Sequence, residues 1–375
     1  MLRFLHSSDL HLGKPFGRFP EDVRARLRHA RAEALPRLAH LARMHGASHI
    51  LLAGDTFDQM TPAPRVIRQA LNAMAQAEGI GWLILPGNHD HAGASELWRQ
   101  LRHDAPANVT ALLDPCPHPL TEGAVLLPAP PSERTPGRDL TDWFDSADTG
   151  AALRIGLAHG SVADFEGTSG AGGSSVIAPD RAVRAGLAYL ALGDWHGQRR
   201  IGPETWYSGA PEADSFRHAM APGALLVEIR APGAPAQVTP LETGTIRWQR
   251  LELVLDPHDD PVAAHAACLP PLAARGDCLF DLRLRGQTRP AARTELDRAI
   301  TESAPDFLWH SADATGLALL HDTSDLDLID AQGALRATAE SLAADAADAT
   351  LPEQDRTAAA DALAQLFAFA LEDHA

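Results

Sequence analysis

Five short motifs carry side chains of the types that bind divalent metal ions. In chain order they are D-L-H at 9–11, G-D-T-F-D at 54–58, G-N-H-D at 87–90, H-G at 159–160 and G-D-W-H at 193–196. Carboxylate oxygens, an amide oxygen and imidazole nitrogens suit Mn²⁺, Fe²⁺ or Zn²⁺, and the lack of a thiolate disfavours a structural zinc site. The candidate groups are Asp9, His11, Asp55, Asn88, His89, His159, Asp194 and His196. They exceed what one ion needs, so we expect two ions about 3.5 to 4 Å apart that share one carboxylate, for which Asp55 is the natural choice.

Each motif has an ordinary structural explanation when it is taken alone. The D-x-H motif could be a cap and a polar surface residue, and G-D-x-x-D could be a turn whose aspartates cap a helix. G-N-H-D could also be a turn, because Gly and Asn tolerate left-handed backbone conformations. A single histidine is usually an ordinary buried or surface residue. All five motifs, however, follow predicted strands in one order, and this conjunction favours a metal site.

The motifs stand at the ends of short apolar runs that predict buried β-strands. These runs are RFLHSSD, SHILLAGD, GWLILPGNHD, LRIGLAHG and LAYLALGDWH. Between the first three, apolar residues three or four positions apart predict helices over 21–45 and 64–78. The resulting β-α-β-α-β series predicts a layered α/β domain, with the functional site at the carboxyl ends of the strands.

Loops and composition changes predict how the rest of the chain is divided. APPSERTPG near 130 and GTSGAGGSS near 170 predict surface loops, and APGAPA near 234 predicts a domain boundary. RWQRLELVLD and CLFDLRLRG then predict strands around a helix that starts at Asp260 and Pro261, followed by a second helix near 290. Residues 331–374 predict two alanine-rich helices, the second opened by Thr350 and Glu353 in capping-box spacing. We therefore expect a catalytic domain over 1–235, a small α/β domain over 245–325 and a helical segment over 331–375.

The net charge of −17 is unevenly distributed along the chain. Residues 1–240 carry 22 Lys and Arg against 25 Asp and Glu, a balance of −3, whereas residues 241–375 carry 10 against 24, a balance of −14. Two divalent cations would offset the acidic ligands of the first part. The acidic balance therefore does not exclude a nucleic-acid partner for residues 1–240.

The three cysteines and the opening residues predict a cytoplasmic protein. Cys116, Cys268 and Cys278 are far apart and form no C-x-x-C pair, which fits a reducing compartment. No apolar run approaches the roughly 18 to 20 residues that cross a bilayer. The opening MLRFLHSSDLH predicts a core strand that leads into a motif, so we expect neither a cleavable signal nor a membrane partner.

The motif set resembles a known family. HSSDLHLG, LLAGDTFD, LPGNHD, AHG and LGDWHG are similar to the signature of the calcineurin-like metallophosphoesterases. The opening HSSDLHLGKPF further resembles the SbcD-type DNA repair exonucleases and their YhaO-like relatives. The resemblance covers roughly 1–230. It implies an α/β/β/α metallophosphoesterase sandwich, followed here by the small α/β domain in a capping role and the helical tail.

The resemblance also implies a role for each motif residue. Asp9, His11 and His196 would hold the first metal, and Asn88, His159 and Asp194 the second, with Asp55 bridging the two. The ions would neutralise charge on the phosphoryl oxygens while His89 protonates the leaving oxygen. Asp58 and Asp90 would orient the turn and the His89 ring.

One position departs from the family pattern. Most members carry G-H-x-H where this chain has Gly193, Asp194, Trp195 and His196, so the second metal would gain a carboxylate in place of an imidazole. The extra negative charge should favour hard ions, above all Mn²⁺, over Zn²⁺, with Mg²⁺ and Fe²⁺ also compatible. The alternative is a weakened second site.

Three functions stay open at this point. The first is a DNA-repair nuclease, exo- or endonucleolytic, that works with an SMC-like coiled-coil ATPase, and the family opening and the C-terminal extension favour it. The second is a phosphatase or phosphodiesterase for a nucleotide or other small molecule. The third is a non-catalytic nuclease-like partner of an ATPase, which the intact Asp55 and His89 disfavour. A homodimer is left open.

The acidic tail and the basic residues of the first predicted helix bear on partners. From residue 301 onward the chain has 2 Arg against 15 Asp and Glu, so this part is expected to meet protein rather than DNA. Its apolar face could dock an ATPase coiled coil or pack on its own domain. Arg24, Arg28 and Arg31 share a helical face that could contact phosphate, although such a stripe is usually only solvated.

Overall fold

The computed structural model describes residues 1–163, 176–217, 221–320 and 333–372, with side chains in the last range as far as 366. The predicted loop GTSGAGGSS lies outside these residues. The chain forms two compact units, Met1–Ile246 and Arg247–Ala375. Within the described ranges, no helix combines the length and the apolar character needed to cross a membrane.

The first unit contains a six-stranded sheet in the order β14-β13-β1-β2-β3-β4. Strands β1 to β4 are parallel, whereas β13 and β14 add an antiparallel edge. The strands are β1 Leu2–Ser7, β2 His49–Ala53, β3 Gly81–Leu85, β4 Val109–Ala111, β13 Gly223–Ile229 and β14 Gln237–Glu242. The helices that connect them are α1 Glu21–Ala32, α2 Ala34–Met44, α3 Pro64–Ala75 and α4 Ser95–Asp104.

A second six-stranded sheet has the order β11-β12-β10-β7-β6-β5. Its four central strands are parallel, and β5 and β11 form antiparallel edges. The strands are β5 His118–Thr121, β6 Ala124–Ala129, β7 Leu153–His159, β10 Tyr189–Gly193, β11 Arg199–Arg200 and β12 Thr205–Tyr207. Three further elements lie in this part of the first unit. They are a 3₁₀ turn at Asp142–Ser146, the short helix α5 Arg181–Arg184 and a two-stranded ladder of β8 Ser161–Val162 and β9 Val176–Ile177.

Alternation of apolar side chains along the first sheet explains how the two sheets stack. Leu5, Ile50 and Ile84 pack against α2, α3 and α4 on one face. Phe4 and Leu51 belong to the opposite face, where they pack against side chains of the second sheet. A third core lies between the second sheet and its own short helices. Burial of both faces yields four layers, α/β/β/α, and this layered fold confirms the expectation from the sequence.

All five predicted strands form, and their carboxyl ends meet. β1, β2 and β3 run parallel in one sheet, and β7 and β10 run parallel in the other. Gly193 pairs with His159 at the ends of β10 and β7. Because each motif directly follows its strand, the metal-binding candidates are delivered to one edge of the stacked sheets.

The second unit is a three-stranded parallel sheet with helices. Its elements are β15 Arg247–Leu255, α6 Pro261–Cys268, α7 Leu272–Arg275, β16 Cys278–Thr288, α8 Pro290–Ser303, β17 Trp309–Leu319, α9 Ala334–Ala347 and α10 Glu353–Glu372, with a 3₁₀ turn at Ala304–Asp306. The Asp260 carboxylate caps α6 by accepting hydrogen bonds from the backbone N–H groups of Val262 and Ala263, each at 3.0 Å. Helices α9 and α10 pack through Ala339 and Leu363.

Three local expectations differ from the structure. The helical pattern over 21–45 forms two helices instead of one, since α1 ends at Ala32 and α2 begins at Ala34. APGAPA connects β13 to β14 within the first sheet, so the first unit continues to Ile246. The capping box at α10 does not form, because the helix begins at Glu353 and the Pro352 carbonyl accepts from Asp355 N–H and Arg356 N–H, which puts Pro352 and not Thr350 at the N-cap position. The role of the second unit as a cap stays a prediction.

Buried His6 predicts how stability depends on pH. Its Nε2–H donates to the Leu192 carbonyl at 3.1 Å, and its Nδ1 accepts from the Tyr189 hydroxyl at 3.0 Å. Burial lowers the pKa of His6 from 6.5 to about 3. The His6 imidazole therefore binds a proton more readily in the unfolded chain than in the folded chain. Its contribution to the free energy of unfolding is present above pH 6.5 and is lost as the pH falls toward 3. The loss should be on the order of 3 kcal/mol between pH 6.5 and 4.

Urea unfolding at several pH values between 7 and 4 measures this loss. His6→Gln should show a shallower decline than wild type, whereas His103→Gln, at a side chain that is 87% exposed, should follow wild type. Parallel curves for wild type and His6→Gln would contradict the assignment.

Candidate metal centre

Backbone hydrogen bonds tie the motif loops together. The Asp9 N–H donates to the Gly54 carbonyl at 3.1 Å, and the His11 N–H donates to the Asp55 carbonyl at 2.9 Å. In the other sheet, the Gly160 N–H donates to the Gly193 carbonyl at 3.1 Å. These bonds fix the spacing of the loops before any side chain is considered.

Four of the candidate ligands have left-handed backbone conformations. The φ angles are +55° at Asp9, +43° at His11, +53° at Asp55 and +103° at Asp194. This region is uncommon for residues other than glycine and is typical of functional sites whose surroundings hold the strain. The surrounding fold therefore holds these four residues in backbone conformations that non-glycine residues rarely adopt.

Two glycines allow the loops to approach closely. A β-carbon at Gly87 would collide with the carboxylate and backbone nitrogen of Asp55, and one at Gly193 would collide with the Ala53 carbonyl oxygen. Glycine at these positions of G-N-H-D and G-D-W-H is thus a steric requirement of the site.

Asp55 lies between two histidines. Its Oδ2 atom is 3.6 Å from His11 Nε2 and 3.6 Å from His159 Nε2. Ligands of one ion, each at about 2 Å from it, lie roughly 3 to 3.5 Å from one another. The position of Asp55 is therefore compatible with a carboxylate shared by two ions.

The other candidates form two groups around Asp55. In the first, ligand atoms of Asp9, His11 and His196 lie within 4.8 Å of one another, and His196 Nε2 is 3.8 Å from Asp9 Oδ1. In the second, Asp194 Oδ1 lies 3.8 Å from His159 Nε2 and 3.4 Å from Asn88 Nδ2, which donates to it. The structure thus brings together all eight residues named from the sequence, with Asp194 beside the second group.

Buried polar atoms test whether these residues fit metal ions. Asp9 Oδ1, His11 Nε2 and Asn88 Oδ1 are buried and accept no hydrogen bond from the residues that the structure describes. Buried polar atoms in folded proteins normally have a partner. Oxygen and imidazole donors that converge without one fit divalent cations.

Histidine orientation follows from the Nδ1 atoms. His159 Nδ1 lies 2.8 Å from the Ala53 carbonyl, and His89 Nδ1 lies 2.8 Å from the Asp58 carbonyl. A carbonyl only accepts, so each Nδ1 carries a proton and each Nε2 is left for the site.

Asp58 and Asp90 support the ligands in different ways. The Asp58 carboxylate lies 3.3 Å from His11 Nδ1, so it faces His11 while its carbonyl holds His89. The Asp90 carboxylate accepts from Gly87 N–H at 2.6 Å and Phe57 N–H at 2.9 Å. Asp90 therefore holds the turn, and Asp58 lies beside both His11 and His89.

Negative charge is concentrated among the ligands. Burial lowers the pKa of His159, but Asp55, Asp9 and Asp194 outweigh it and raise that pKa to about 9. Burial raises the pKa of Asp55, and burial together with the charge of Asp55 raises the pKa of Asp90 to about 7. Burial and the proximity of like charge are the physical causes of the raised pKa values of these two carboxyls.

Three charged residues near the site do not belong to any of the five motifs. Arg31 is buried and donates to the carbonyl of Leu10 at 2.5 Å, so it supports the first motif instead of extending a surface stripe. Lys14 and Asp214 form an ion pair at 2.6 Å. Their separation by 200 residues hides this contact from any local pattern.

Comparison with known proteins places the domain in a family. Residues 2–178 match a family described as calcineurin-like phosphoesterase, so this part of the chain is a calcineurin-like metallophosphoesterase domain. Over 261 residues the chain is 27% identical to the uncharacterized metallophosphoesterase YhaO of Bacillus subtilis (strain 168), and this match covers 61% of the chain and 57% of that protein. Over 138 residues it is 33% identical to the SbcD subunit of the nuclease SbcCD of Escherichia coli (strain K12), covering 34% of the chain and 32% of that protein.

The match to either relative covers less than two thirds of that relative's length. Among solved structures, the protein TT1561 of Thermus thermophilus has a TM-score of 0.42 and 14% identity, and the match covers 64% of this chain and 98% of that one. The family match ends before the G-D-W-H motif, so residues 193–196 lie outside it.

The position of Asp194 predicts the metal content of its variants. Asp194→Ala should bind one Mn²⁺ tightly instead of two, because the second group loses a carboxylate. Asp194→His should keep two ions and bind Zn²⁺ better relative to Mn²⁺, since imidazole is the softer ligand. Equilibrium dialysis with elemental analysis measures both effects. Asp180→Ala, at a side chain that is 61% exposed, is the control. Two ions bound with wild-type affinity by Asp194→Ala would exclude Asp194 as a ligand.

Proposed function

We propose that this chain, which carries a calcineurin-like metallophosphoesterase domain that supports phosphoester hydrolysis, is a two-metal phosphodiesterase that acts on DNA. The observation that carries the proposal is the central position of Asp55, whose Oδ2 lies 3.6 Å from a histidine of each ligand group. Asp9, His11 and His196 would hold one ion, Asn88, His159 and Asp194 the other, and Asp55 both. We expect Mn²⁺ because oxygen ligands predominate.

The residues around the ions have distinct tasks. When bound, two divalent ions supply positive charge for the phosphoryl oxygens and provide a nucleophile at neutral pH. His89 is the general acid in this proposal. Its Nδ1 is held by the Asp58 carbonyl, which leaves Nε2 to carry the proton that the leaving oxygen takes. The His89 N–H donates to Asp55 Oδ1 at 2.8 Å and so fixes the acid relative to the shared ligand.

Partial exposure of two candidate ligands gives a phosphoester access to the site. Asp9, Asp55 and His159 are almost fully buried, whereas the side chains of Asp194 and His196 are 22% and 19% exposed. A phosphodiester would approach from this partly exposed side, and His89 is also partly exposed. The similarity to a nuclease subunit favours DNA over a small ester, and the near balance of charge over 1–240 does not exclude DNA.

His89→Ala tests the catalytic assignment. Purified chain with Mn²⁺ is offered bis-p-nitrophenyl phosphate and end-labelled single- and double-stranded DNA. We expect cleavage of all three, and a loss of about 10²- to 10⁴-fold in His89→Ala with metal content unchanged, because only the proton donor is removed. His91→Ala, at a nearby partly exposed histidine, is the control.

The outcomes separate the three candidate functions. Cleavage of the small ester but of neither DNA would favour a small-molecule phosphodiesterase. No cleavage of any substrate by the metal-loaded chain would favour a non-catalytic subunit. Equal rates for His89→Ala and wild type would exclude His89 as the acid.

An SMC-like ATPase is the proposed protein partner, with the helical pair α9 and α10 as its docking surface. The match to the SbcD subunit of a nuclease and the acidic character of residues 301–375 support this assignment. Part of the apolar surface is already used, since Ala339 and Leu363 are buried between the two helices and α10 also contacts α8. The exposed Leu335 on α9 lies outside that contact.

Removal of residues 331–375 tests the docking surface. The shortened chain should lose co-purification with an SMC-like ATPase from the same organism while it still hydrolyses bis-p-nitrophenyl phosphate, because the proposed ligands all precede residue 197. Association of the shortened chain at the level of the full chain would contradict this surface.

A further inference from the structure

A carboxylate from outside the five motifs stands behind one of the candidate ligands. Asp214 Oδ1 lies 3.4 Å from His196 Nδ1, on the side of the ring opposite to Asp9. The Asp214 side chain is only 3% exposed. Its other oxygen, Oδ2, lies 2.6 Å from Lys14 Nζ and 3.5 Å from Arg31 Nη2. One buried carboxylate therefore faces an imidazole with one oxygen and two cations with the other.

The loop that carries Asp214 is fixed on several sides. The Ala210 N–H donates to the His196 carbonyl at 3.0 Å, which ties the loop directly to the G-D-W-H motif. The Thr243 hydroxyl donates to the Pro211 carbonyl at 2.6 Å. The Glu212 carboxylate accepts from the Ile246 N–H at 2.8 Å and from Arg37 at 2.6 Å. Asp214 is thus held at a set distance from His196.

Neutralising the two cations does not by itself explain Asp214. Arg31 also donates to the Leu10 carbonyl at 2.5 Å and lies 3.4 Å from the carbonyls of Asp9 and Glu212. The Lys14 side chain is 29% exposed and can be hydrated. The two cations approach Oδ2, whereas Oδ1 faces His196.

The histidines of the two ligand groups differ in what stands behind them. His11 Nδ1 faces the Asp58 carboxylate and His196 Nδ1 faces the Asp214 carboxylate. His159 Nδ1 instead donates to the neutral Ala53 carbonyl. A carboxylate behind an imidazole fixes the ring and increases its basicity as a ligand more than a neutral group does.

We propose that Asp214 is a positioning residue that keeps the proton of His196 on Nδ1, turns Nε2 toward the ion held with Asp9 and His11, and strengthens binding of that ion. The inference rests on the proposed two-metal site but not on the identity of the substrate. It predicts that the two ions differ in affinity and that the ion of the first group is the one sensitive to Asp214.

Titration with Mn²⁺, followed by the electron paramagnetic resonance signal of the free ion, tests the proposal without an activity readout. Asp214→Asn should weaken one of the two ions by about 10- to 100-fold and leave the other unchanged. Asp139→Asn is the matched control, since it removes another shielded carboxylate, 13% exposed, from its pair with Arg181 at 2.9 Å. This control should bind both ions as wild type does.

A double-mutant cycle separates positioning from a structural effect. In the His196→Gln background, Asp214→Asn should change the affinity of either ion by less than about twofold, because the ring on which it acts is gone. Equal losses in both backgrounds would overturn the proposal, as would unchanged affinity for both ions in folded Asp214→Asn. If wild type bound fewer than two ions, the proposed two-metal function itself would be wrong.

Wild-type protein provides a measurement that does not depend on the folding of a variant. Long-range ¹H–¹⁵N spectra of the ¹⁵N-histidine-labelled, Zn²⁺-loaded chain report which ring nitrogen of His196 carries the proton, with the resonance assigned from His196→Gln. We expect the proton on Nδ1 and in slow exchange with water. A proton on Nε2 would overturn the proposal.

Discussion

Negative charge gathered at one edge of two stacked sheets is the constraint on which the rest of the site depends. Asp9 and Asp55 are buried, Asp194 lies beside them, and together they raise the pKa of His159 to about 9. Buried carboxylates that lie so close together are costly, so compensating positive charge stabilises the arrangement. Divalent ions provide that charge in the proposed function. Those ions would contact buried atoms that accept no hydrogen bond in the described structure, such as Asp9 Oδ1 and Asn88 Oδ1.

The fold provides the rigidity that this charge requires. Parallel strands deliver five loops to one edge, backbone hydrogen bonds set the distance between the loops, and glycines at Gly87 and Gly193 permit contacts that a β-carbon would block. Behind the ligands, Asp58 and Asp90 act through different atoms. The Asp58 carbonyl holds the His89 ring, and the Asp90 carboxylate holds the turn that carries it. Asp214 lies behind His196 in the same supporting way, although Asp214 comes from a loop with no recognisable motif.

Local patterns in the sequence are sufficient to predict the strands and the candidate ligands that the structure brings together, because both depend on neighbouring residues. Each candidate ligand follows an apolar strand, and the carboxyl ends of parallel strands lie at the same edge of a sheet. Contacts between distant parts of the chain were not predictable. Lys14 meets Asp214 across 200 residues, and Arg31, which shares a helical face with Arg24 and Arg28, is buried against the first motif instead of exposed to solvent. The boundary near 234 was also misplaced, because a proline- and glycine-rich turn within a sheet has the same composition as a linker.

The central claim is that two ions share Asp55, and crystallography with Mn²⁺ addresses it directly. Anomalous difference maps from Mn²⁺-soaked crystals, recorded above and below the manganese edge, locate the ions independently of any assay. The account predicts two peaks about 3.5 to 4 Å apart, both adjacent to the Asp55 carboxylate, one near His11 and His196 and the other near His159 and Asn88. A single peak, or two peaks of which only one contacts Asp55, would contradict it.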